Sequence, residues 1–263
     1  AYNFQTKKRL ADFSITDRPN YNNLVEFKGY DLLYGMSYGF ESTTDSKVNF
    51  SIVNKETKKV TTVTVPIPKE VRGDKNPLIT QITFYRKGNT VYGVVPMSEY
   101  ENRGEKPPTY FFITFSVNLE TGVATPAKRV NLPEQFASIA WGEAKSSHVY
   151  DPQVLLFKSM YARDEKFRLM TFDAETEKFT EITPENGMSP THSVLYTVED
   201  KAYIALADEV PAFTGSDSYV KASERKNNET KYYVLDAGSK KLEEAFTTET
   251  DVYAPQVYLN KGN

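Results

Sequence analysis

Three segments of the sequence combine aromatic with basic side chains, and this combination predicts ligand contact. An aromatic ring can stack on a planar or sugar ligand, while a neighbouring cation pairs with an anionic group. The alternative is that these segments are solvated loops whose side chains only cover nearby strands. The segments are 98–109 with Tyr100 and Arg103, 159–166 with Tyr161 and Arg163, and 211–230 with Phe213, Tyr219 and Lys221.

The single tryptophan, Trp141, is a further candidate for ligand contact. It lies in Ile-Ala-Trp-Gly, close to the predicted end of an apolar strand, where an indole can form a stacking platform. The alternative is that Trp141 belongs to the core. Both interpretations remain open from the sequence.

Motifs for catalysis are scarce in this chain. There is no Gly-x-Ser-x-Gly elbow, no phosphate-binding glycine-rich loop and no His-Glu-x-x-His helix. The two histidines, His148 and His192, have no close carboxylate spacing, so we expect no metal site, no cofactor and no identifiable catalytic residue. A glycosidase, however, needs only two carboxylates a few ångströms apart, and Asp31, Asp151 and Glu199 fall near predicted strand ends.

Composition favours a folded β-protein and narrows the range of partners. Hydrophobic residues make up 39% and charged residues 25%, with 18 tyrosines and 16 phenylalanines that suit half-buried strands. The net charge of −3 provides no cationic field for nucleic acid. There is no cysteine, and no apolar run is long enough to span a membrane.

A short acidic turn recurs four times between strand-like runs. Asn or Asp opens each turn, which fits a side chain that accepts hydrogen bonds from its own backbone. A second hairpin is predicted at Arg86-Lys-Gly-Asn89, where Gly88 can adopt positive φ. Each unit therefore contains four strands. The four turns are Asn54-Lys-Glu-Thr, Asn118-Leu-Glu-Thr, Asp173-Ala-Glu-Thr and Asp236-Ala-Gly-Ser.

Repeated four-stranded units predict an all-β fold, a β-propeller with four-stranded antiparallel blades. The strand, the Asp/Asn-x-Glu-Thr turn and the outer strand resemble bacterial extracytoplasmic propellers of the YVTN type, whose blades carry a similar turn. This resemblance covers nearly the whole chain and implies a fold rather than an activity. Within it, a Bacteroidetes surface lipoprotein is one option. The predicted blades are residues 20–68, 77–133, 135–184 and 190–248, and residues 1–16 with 252–263 form a partial blade of a single propeller domain or part of one.

The propeller predicts two unequal faces. Loops between the second and third strands share a face with the loops that enter each blade, and these loops are long here; we call this the loop-rich face. Hairpin turns occupy the opposite, tight-turn face. Function usually gathers on long loops held by a rigid scaffold.

We therefore predict a non-enzymatic propeller that binds a small molecule or a protein partner on its loop-rich face, outside the cytoplasm. An anionic aromatic chelate such as a siderophore, a glycan or another nutrient fits the candidate residues. Two alternatives are a carbohydrate-active, glycosidase-like enzyme with paired carboxylates and a protein-interaction scaffold. The chain begins at Ala1 rather than Met, which is compatible with a leader or lipid anchor removed upstream.

Overall fold

In the computed structural model the described chain is built almost wholly from antiparallel β-strands. Its one described helix is a single turn, α1 (Lys69–Arg72). No helix within the described ranges is long and apolar enough to span a membrane. The structure describes residues 2–3, 8–9, 23–37, 46–73, 82–99, 109–134, 136–140, 155–161, 167–182, 188–198, 201–208, 230–236 and 241–248.

Four successive sheets of four antiparallel strands form the blades of a β-propeller, as the sequence predicts. Within each blade, strands that follow one another in the chain are neighbours in the sheet. Blade 1 comprises β3 (Asn23–Phe27), β4 (Tyr30–Ser37), β5 (Ser46–Asn54) and β6 (Val60–Ile67). Blade 2 comprises β7 (Thr83–Lys87), β8 (Thr90–Glu99), β9 (Thr109–Asn118) and β10 (Lys128–Asn131).

Blades 3 and 4 repeat this order. Blade 3 comprises β11 (Phe136–Ala140), β12 (Leu155–Tyr161), β13 (Phe167–Asp173) and β14 (Lys178–Glu181). Blade 4 comprises β15 (Met188–Val198), β16 (Lys201–Asp208), β17 (Thr230–Asp236) and β18 (Lys241–Thr248). Ahead of blade 1, β1 (Tyr2–Asn3) pairs with β2 (Lys8–Arg9). Residues 252–263 lie outside the described ranges, so the predicted partial blade and the single-domain division stay predictions.

The turn between the third and fourth strands has the predicted conformation in blades 1 to 3. In blade 1 the side-chain oxygen of Asn54 accepts hydrogen bonds from the backbone N–H groups of Glu56 and Thr57, both at 2.9 Å. The fifth residue, Lys58, has a φ of 60°. A small polar side chain that satisfies its own turn explains why Asn or Asp opens the motif. The same bonds recur at Asn118 and Asp173, and positive φ recurs at Gly122 and Glu177.

The blades pack face to face through alternate residues of their strands. In β9, Phe111 and Ile113 point into the core shared with blade 1, while Phe112 between them points into the core shared with blade 3. All three side chains are fully buried. Successive side chains of a strand point to opposite faces of the sheet. Because both faces of this sheet are covered, nearly every residue of the strand is apolar.

A glycine at the centre of blade 2 accommodates one of these aromatic rings. Gly93 in β8 lies opposite Phe115 in β9. A Cβ atom at Gly93 would lie 2.3 Å from Phe115 Cζ, far inside van der Waals contact. The ring thus occupies the space that any larger residue would need at position 93.

The outer strand of blade 2 is short, because β10 begins only at Lys128 although β9 ends at Asn118. The chain before it forms an isolated bridge between Ala124 and Val117, and the Thr125 hydroxyl accepts a hydrogen bond from the N–H of Ser116. Pro126 follows and has no N–H to donate to a ladder, which explains the interruption.

Candidate functional site

The described part of the loop-rich face includes the foot of the loop between the second and third strands of blade 2. Strand β8 ends at Glu99 and β9 begins at Thr109, and these two residues pair across the ladder. Residues 100–108, which include Tyr100 and Arg103, connect these two residues in the sequence and lie outside the described ranges. Glu99 was expected inside the loop, whereas the structure places it in the strand.

Arg129 reaches this foot from the outermost strand of the blade. Its guanidinium carbon lies 3.7 Å from the centre of the buried Phe111 ring. Its Nη1 donates to Glu99 Oε2 at 3.1 Å, and its Nε donates to Asn131 Oδ1 at 2.8 Å. The side chain therefore crosses the third strand and ends beside the second. A ring, a carboxylate and an amide fix its orientation.

The chain that enters blade 2 passes directly against this group. Gly73, which follows α1, has a φ of 86° and donates its N–H to the Lys69 carbonyl at 2.8 Å. A Cβ atom at position 73 would lie 2.7 Å from Glu99 Oε1 and 3.6 Å from Arg129 Nη1. Glycine is required both for the left-handed backbone and for the close approach of the carboxylate. We call Gly73, Glu99, Phe111, Arg129 and Asn131 the loop-foot cluster.

The loop-foot cluster presents a positioned guanidinium close to the surface. The side chain of Arg129 is 25% exposed and that of Glu99 is 29% exposed. Among the described residues, Nη2 of Arg129 has no hydrogen-bond acceptor. A guanidinium with two of its nitrogens already held and a third available is suited to bind a carboxylate or phosphate oxygen.

A second group of ionisable residues lies on the tight-turn face, between blades 2 and 3. Lys87 Nζ is 2.7 Å from Asp173 Oδ2 and 3.5 Å from Glu175 Oε2. The Tyr85 ring stacks on Tyr92 with centroids 5.0 Å apart, and the Tyr85 hydroxyl accepts the N–H of Ala174 at 2.6 Å. We call Tyr85, Lys87, Tyr92, Asp173 and Glu175 the seam cluster.

The pKa values of the seam cluster are shifted by burial and by the ion pair. Burial alone would raise the pKa of Asp173, but the hydrogen bonds from Lys87 and from two backbone N–H groups outweigh it and hold that pKa below its ordinary value. Burial opposes the charge on Lys87, and its carboxylate partners nevertheless raise its pKa. Burial also raises the pKa values of Tyr85 and Tyr92. These contacts join two blades, so we interpret the seam cluster as structural.

The described acid pairs do not lie on the loop-rich face. Glu26 and Asp31 face each other across the first hairpin of blade 1, and Lys55 lies 3.7 Å and 2.8 Å from their oxygens. Asp173 and Glu175 likewise share Lys87. Both pairs lie on the tight-turn face with a lysine between them. On the loop-rich side of the described chain, Glu99 and Glu181 each pair with an arginine instead.

The predicted ligand-binding side chains lie beyond the described part of the structure. Tyr161 differs from expectation in its backbone, because it is the last residue of β12 and pairs with Phe136 rather than lying in the loop. Strand β11 ends at Ala140, and Trp141, the next residue, lies outside the described ranges. The other candidates outside the described ranges are Tyr100, Arg103, Arg163, Phe213, Tyr219 and Lys221.

Sequence reasoning did not identify the loop-foot cluster. Arg129 is 30 residues from Glu99, and only the pairing of three strands brings them together. The sequence shows only a basic residue, Arg129, next to the apolar Val130 in an outer strand. This pattern is common and does not by itself indicate a site.

Comparisons with protein-family models and with curated proteins found no match. Solved structures similar to this chain include a Trypanosoma rangeli sialidase, with 13% identity and a TM-score of 0.39. The match covers 84% of this chain and 37% of that one. The same sialidase in complex with the inhibitor DANA matches over the same shares with 13% identity and a TM-score of 0.42. The chain therefore spans well under half the length of these structures.

These matches contradict our prediction of a non-enzymatic binding propeller. A third match, a covalent intermediate of the sialidase with 2,3-difluorosialic acid, has 14% identity and a TM-score of 0.39, and covers 84% of this chain and 36% of that one. All three are named as sialidases, so they agree better with the glycosidase-like alternative. At this identity and TM-score the likeness carries no argument about the substrate of this chain.

Proposed function

We propose that this chain is part of a carbohydrate-active, glycosidase-like propeller that binds acidic glycans on its loop-rich face. The observation that carries the proposal is Arg129, whose guanidinium is held over Phe111 and against Glu99 while Nη2 has no acceptor within the described chain. Acidic sugars carry a carboxylate, sulfate or phosphate that this group can bind through charge-assisted hydrogen bonds.

The aromatic and basic residues predicted from the sequence extend this surface in the proposal. Tyr100 and Arg103 belong to the loop that begins one residue after Glu99. Stacking of a tyrosine on a sugar ring beside a guanidinium would supply both shape and charge recognition. Tyr161, Arg163, Phe213, Tyr219, Lys221 and Trp141 are proposed as further substrate contacts.

The catalytic carboxylates are proposed to lie in the loops of the same face. On that side Glu99 and Glu181 are each engaged by an arginine, which favours positioning roles for these two acids. Glu101 is the next acid after Glu99 and lies in the same loop segment as Tyr100. We assign Glu101 as the first acid to test for proton transfer.

The test is a hydrolysis assay with fluorogenic glycosides that carry acidic or neutral sugars, including a sialoside because the similar structures are sialidases. We expect acidic glycosides to be hydrolysed. Arg129→Met should raise KM about 10- to 100-fold, because a hydrogen bond to a charged group contributes about 1.5–3 kcal/mol. Glu101→Gln should lower kcat without a comparable change in KM.

Arg168→Met is the matched control. Arg168 also pairs with a glutamate at the loop-rich side, with its Nε 3.3 Å from Glu181 Oε1, but it lies in blade 3. Its replacement should leave KM within about twofold of the parent. Absence of hydrolysis and of binding for every acidic glycoside would contradict the proposal, and equal effects of the two arginine variants would remove Arg129 as the recognition residue.

We further propose a relationship to the YVTN-type propellers and a bacterial extracytoplasmic location with an upstream lipid anchor. The recurrent Asp/Asn-x-Glu-Thr turn supports the relationship to these propellers. Mass spectrometry of the protein isolated from envelope and cytoplasmic fractions tests it. A lipid-modified terminus in the envelope is expected, and an unmodified protein confined to the cytoplasm would contradict the proposed location.

A further inference from the structure

The loop-foot cluster carries no net charge, because its two ionised groups form an ion pair. Arg129 Nη1 lies 3.1 Å from Glu99 Oε2, and the other members of the cluster are a glycine, a phenylalanine and an asparagine. An anion that approaches Nη2 of Arg129 therefore meets the carboxylate of Glu99 beside it. Like charges at such short separation oppose one another strongly. Any acidic group that binds Arg129 has to compete with Glu99.

The orientation of Arg129 does not depend on this ion pair alone. Its guanidinium carbon lies 3.7 Å from the centre of the Phe111 ring, and its Nε donates to Asn131 Oδ1 at 2.8 Å. Neither contact involves Glu99. The ring and the amide would therefore keep the guanidinium in place if the carboxylate moved away.

Glu99 is held less firmly than Arg129. Among the described residues, the one hydrogen bond to its carboxylate comes from Arg129. The N–H of the nearby Gly73 donates to the Lys69 carbonyl instead. The side chain of Glu99 is also 29% exposed, so water can solvate the carboxylate when it leaves the arginine.

The seam cluster shows the contrasting case of an anchored carboxylate. Asp173 Oδ1 accepts two backbone N–H groups of its own turn at 3.0 and 3.4 Å, while Oδ2 lies 2.7 Å from Lys87 Nζ. Asp173 could move away from Lys87 only by disrupting that turn. Glu99 can move away from Arg129 by breaking a single, partly exposed ion pair, and such pairs are weak.

We propose that Glu99 is a displaceable competitor on Arg129 and thereby sets the affinity of this site for acidic groups. The incoming carboxylate, sulfate or phosphate replaces Glu99 on Nη1 and also engages Nη2, so that two nitrogens of one guanidinium hold two oxygens. Phe111 and Asn131 keep the guanidinium in place during the exchange. This exchange rests on the proposed function, in which Arg129 binds an acidic group, but it does not require hydrolysis.

Titration with sodium sulfate at constant ionic strength tests the exchange without any glycan. The proton–nitrogen NMR signal of the Arg129 Nε–H reports binding, and its absence in Arg129→Met assigns it. Glu99→Gln should lower the dissociation constant for sulfate about 3- to 10-fold, because the amide keeps the shape of the side chain and removes the competing charge. Glu99→Ala should lower it as well. The gain should shrink in about 0.5 M sodium chloride, which screens exposed ion pairs.

Glu120→Gln is the matched control, because it removes the same charge from the same blade. Glu120 belongs to the turn after β9 on the tight-turn face, where its Oε2 accepts a hydrogen bond from the Asn89 amide at 3.1 Å. Its replacement should change the dissociation constant for sulfate at Arg129 by less than about twofold.

An unchanged or weaker affinity for sulfate in Glu99→Gln would overturn the proposal, because Glu99 would then not compete with the anion. A signal of Arg129 that never responds to sulfate would overturn it too, since no anion would then bind there. Equal gains in Glu99→Gln and Glu120→Gln would also contradict it, because the effect would then be one of net charge. The expected gain without hydrolysis of any glycoside would support the exchange and contradict only the proposed enzymatic function.

Discussion

The last residue of a blade's first strand contacts the following blade, and its type differs between the seam of blades 1 and 2 and the seam of blades 2 and 3. Between blades 1 and 2 this residue is Phe27, fully buried in one core with Leu119 of the following blade. Between blades 2 and 3 it is Lys87, which forms an ion pair with Asp173 of the following blade. One position in the repeat therefore joins neighbouring blades by apolar packing in one case and by charge in the other. The repeat determines where blades meet, and the individual residue determines how.

The backbone N–H of the second residue in the Asp/Asn turn also differs between these seams. In blades 1 and 2 the N–H of the second turn residue donates to a hairpin of its own blade, from Lys55 to the Gly29 carbonyl and from Leu119 to the Asn89 carbonyl, both at 2.8 Å. In blade 3, residues 141–154 separate the first two strands, and the Ala174 N–H donates to Tyr85 of blade 2 instead. The turn of blade 3 thus depends on the neighbouring blade for a buried hydrogen bond.

The largest expected loss of stability comes from a substitution in the apolar seam between blades 1 and 2. Phe50→Ala should lower the free energy of unfolding by about 3–5 kcal/mol, because the Phe50 side chain is completely buried and contacts Tyr34, Phe84 and Phe115. Urea unfolding followed by circular dichroism measures the change. Leu24→Ala, at a residue 58% exposed, is the control and should cost less than about 0.5 kcal/mol. Similar losses for both variants would disprove the importance of this seam.

The next largest loss of stability is expected from removing one oxygen atom, the Tyr85 hydroxyl, at the seam between blades 2 and 3. Tyr85→Phe should cost about 1–2 kcal/mol, because the Ala174 N–H would lose its acceptor in a buried position. Tyr92→Phe is the matched control, since Tyr92 stacks on Tyr85, and it should cost under about 0.5 kcal/mol. Hydrogen exchange at the Ala174 amide reports the local change. Unaltered protection in Tyr85→Phe would show that this bond does not hold the seam.

A smaller effect should depend on pH. The pKa of Asp173 is below its ordinary value of 3.8, so its ion pair stabilises the folded protein at neutral pH and loses this effect as pH falls through the lowered pKa. The pKa of Lys87 is above 10.5, so stability also falls as pH rises through that raised value. Lys87→Met should cost about 0.5–1 kcal/mol at pH 7, and this cost should shrink as pH falls through the lowered pKa of Asp173. A pH-independent difference in urea unfolding would argue against this assignment.

The smallest effect is expected at the outer rim of the same seam. Lys128 Nζ lies 2.6 Å from Glu177 Oε1, but the two side chains are 47% and 48% exposed. Lys128→Met should change stability by no more than about 0.5 kcal/mol, and about 0.5 M salt should abolish the difference. A larger, salt-resistant loss in thermal unfolding would indicate that this ion pair is screened from water and would weaken the contrast with Lys87.

Local patterns in the sequence predict much of the blade structure. The turn at Asn54 needs only its own side chain and backbone, and the hairpin at Gly88 needs only the positive φ that glycine allows. The turns predicted at Asn54, Asn118, Asp173 and Asp236 each lie between the third and fourth strands of a blade. Tertiary contacts decide the remainder, because the close contact between Gly93 and Phe115 depends on strand register. The late start of β10 depends on Pro126 and on the hydrogen bond from the Ser116 N–H to the Thr125 hydroxyl.

The loop-foot cluster illustrates why the site was harder to predict than the fold. Glu99 falls inside the 98–109 segment that the sequence predicts as a loop, and Arg129 lies in none of the three candidate segments. Their contact requires three strands in register and a glycine at position 73. No local pattern encodes that combination.

The hydrogen bond between Ala174 and Tyr85 also sets an order of assembly. During vectorial synthesis the hairpin that carries Tyr85 leaves the ribosome well before the turn of blade 3. That turn would therefore find its acceptor already in place, and we expect blade 3 to dock on a preformed neighbour rather than fold first. A circular permutation that moved blade 2 behind blade 3 would remove this head start and slow maturation while leaving the final contacts unchanged.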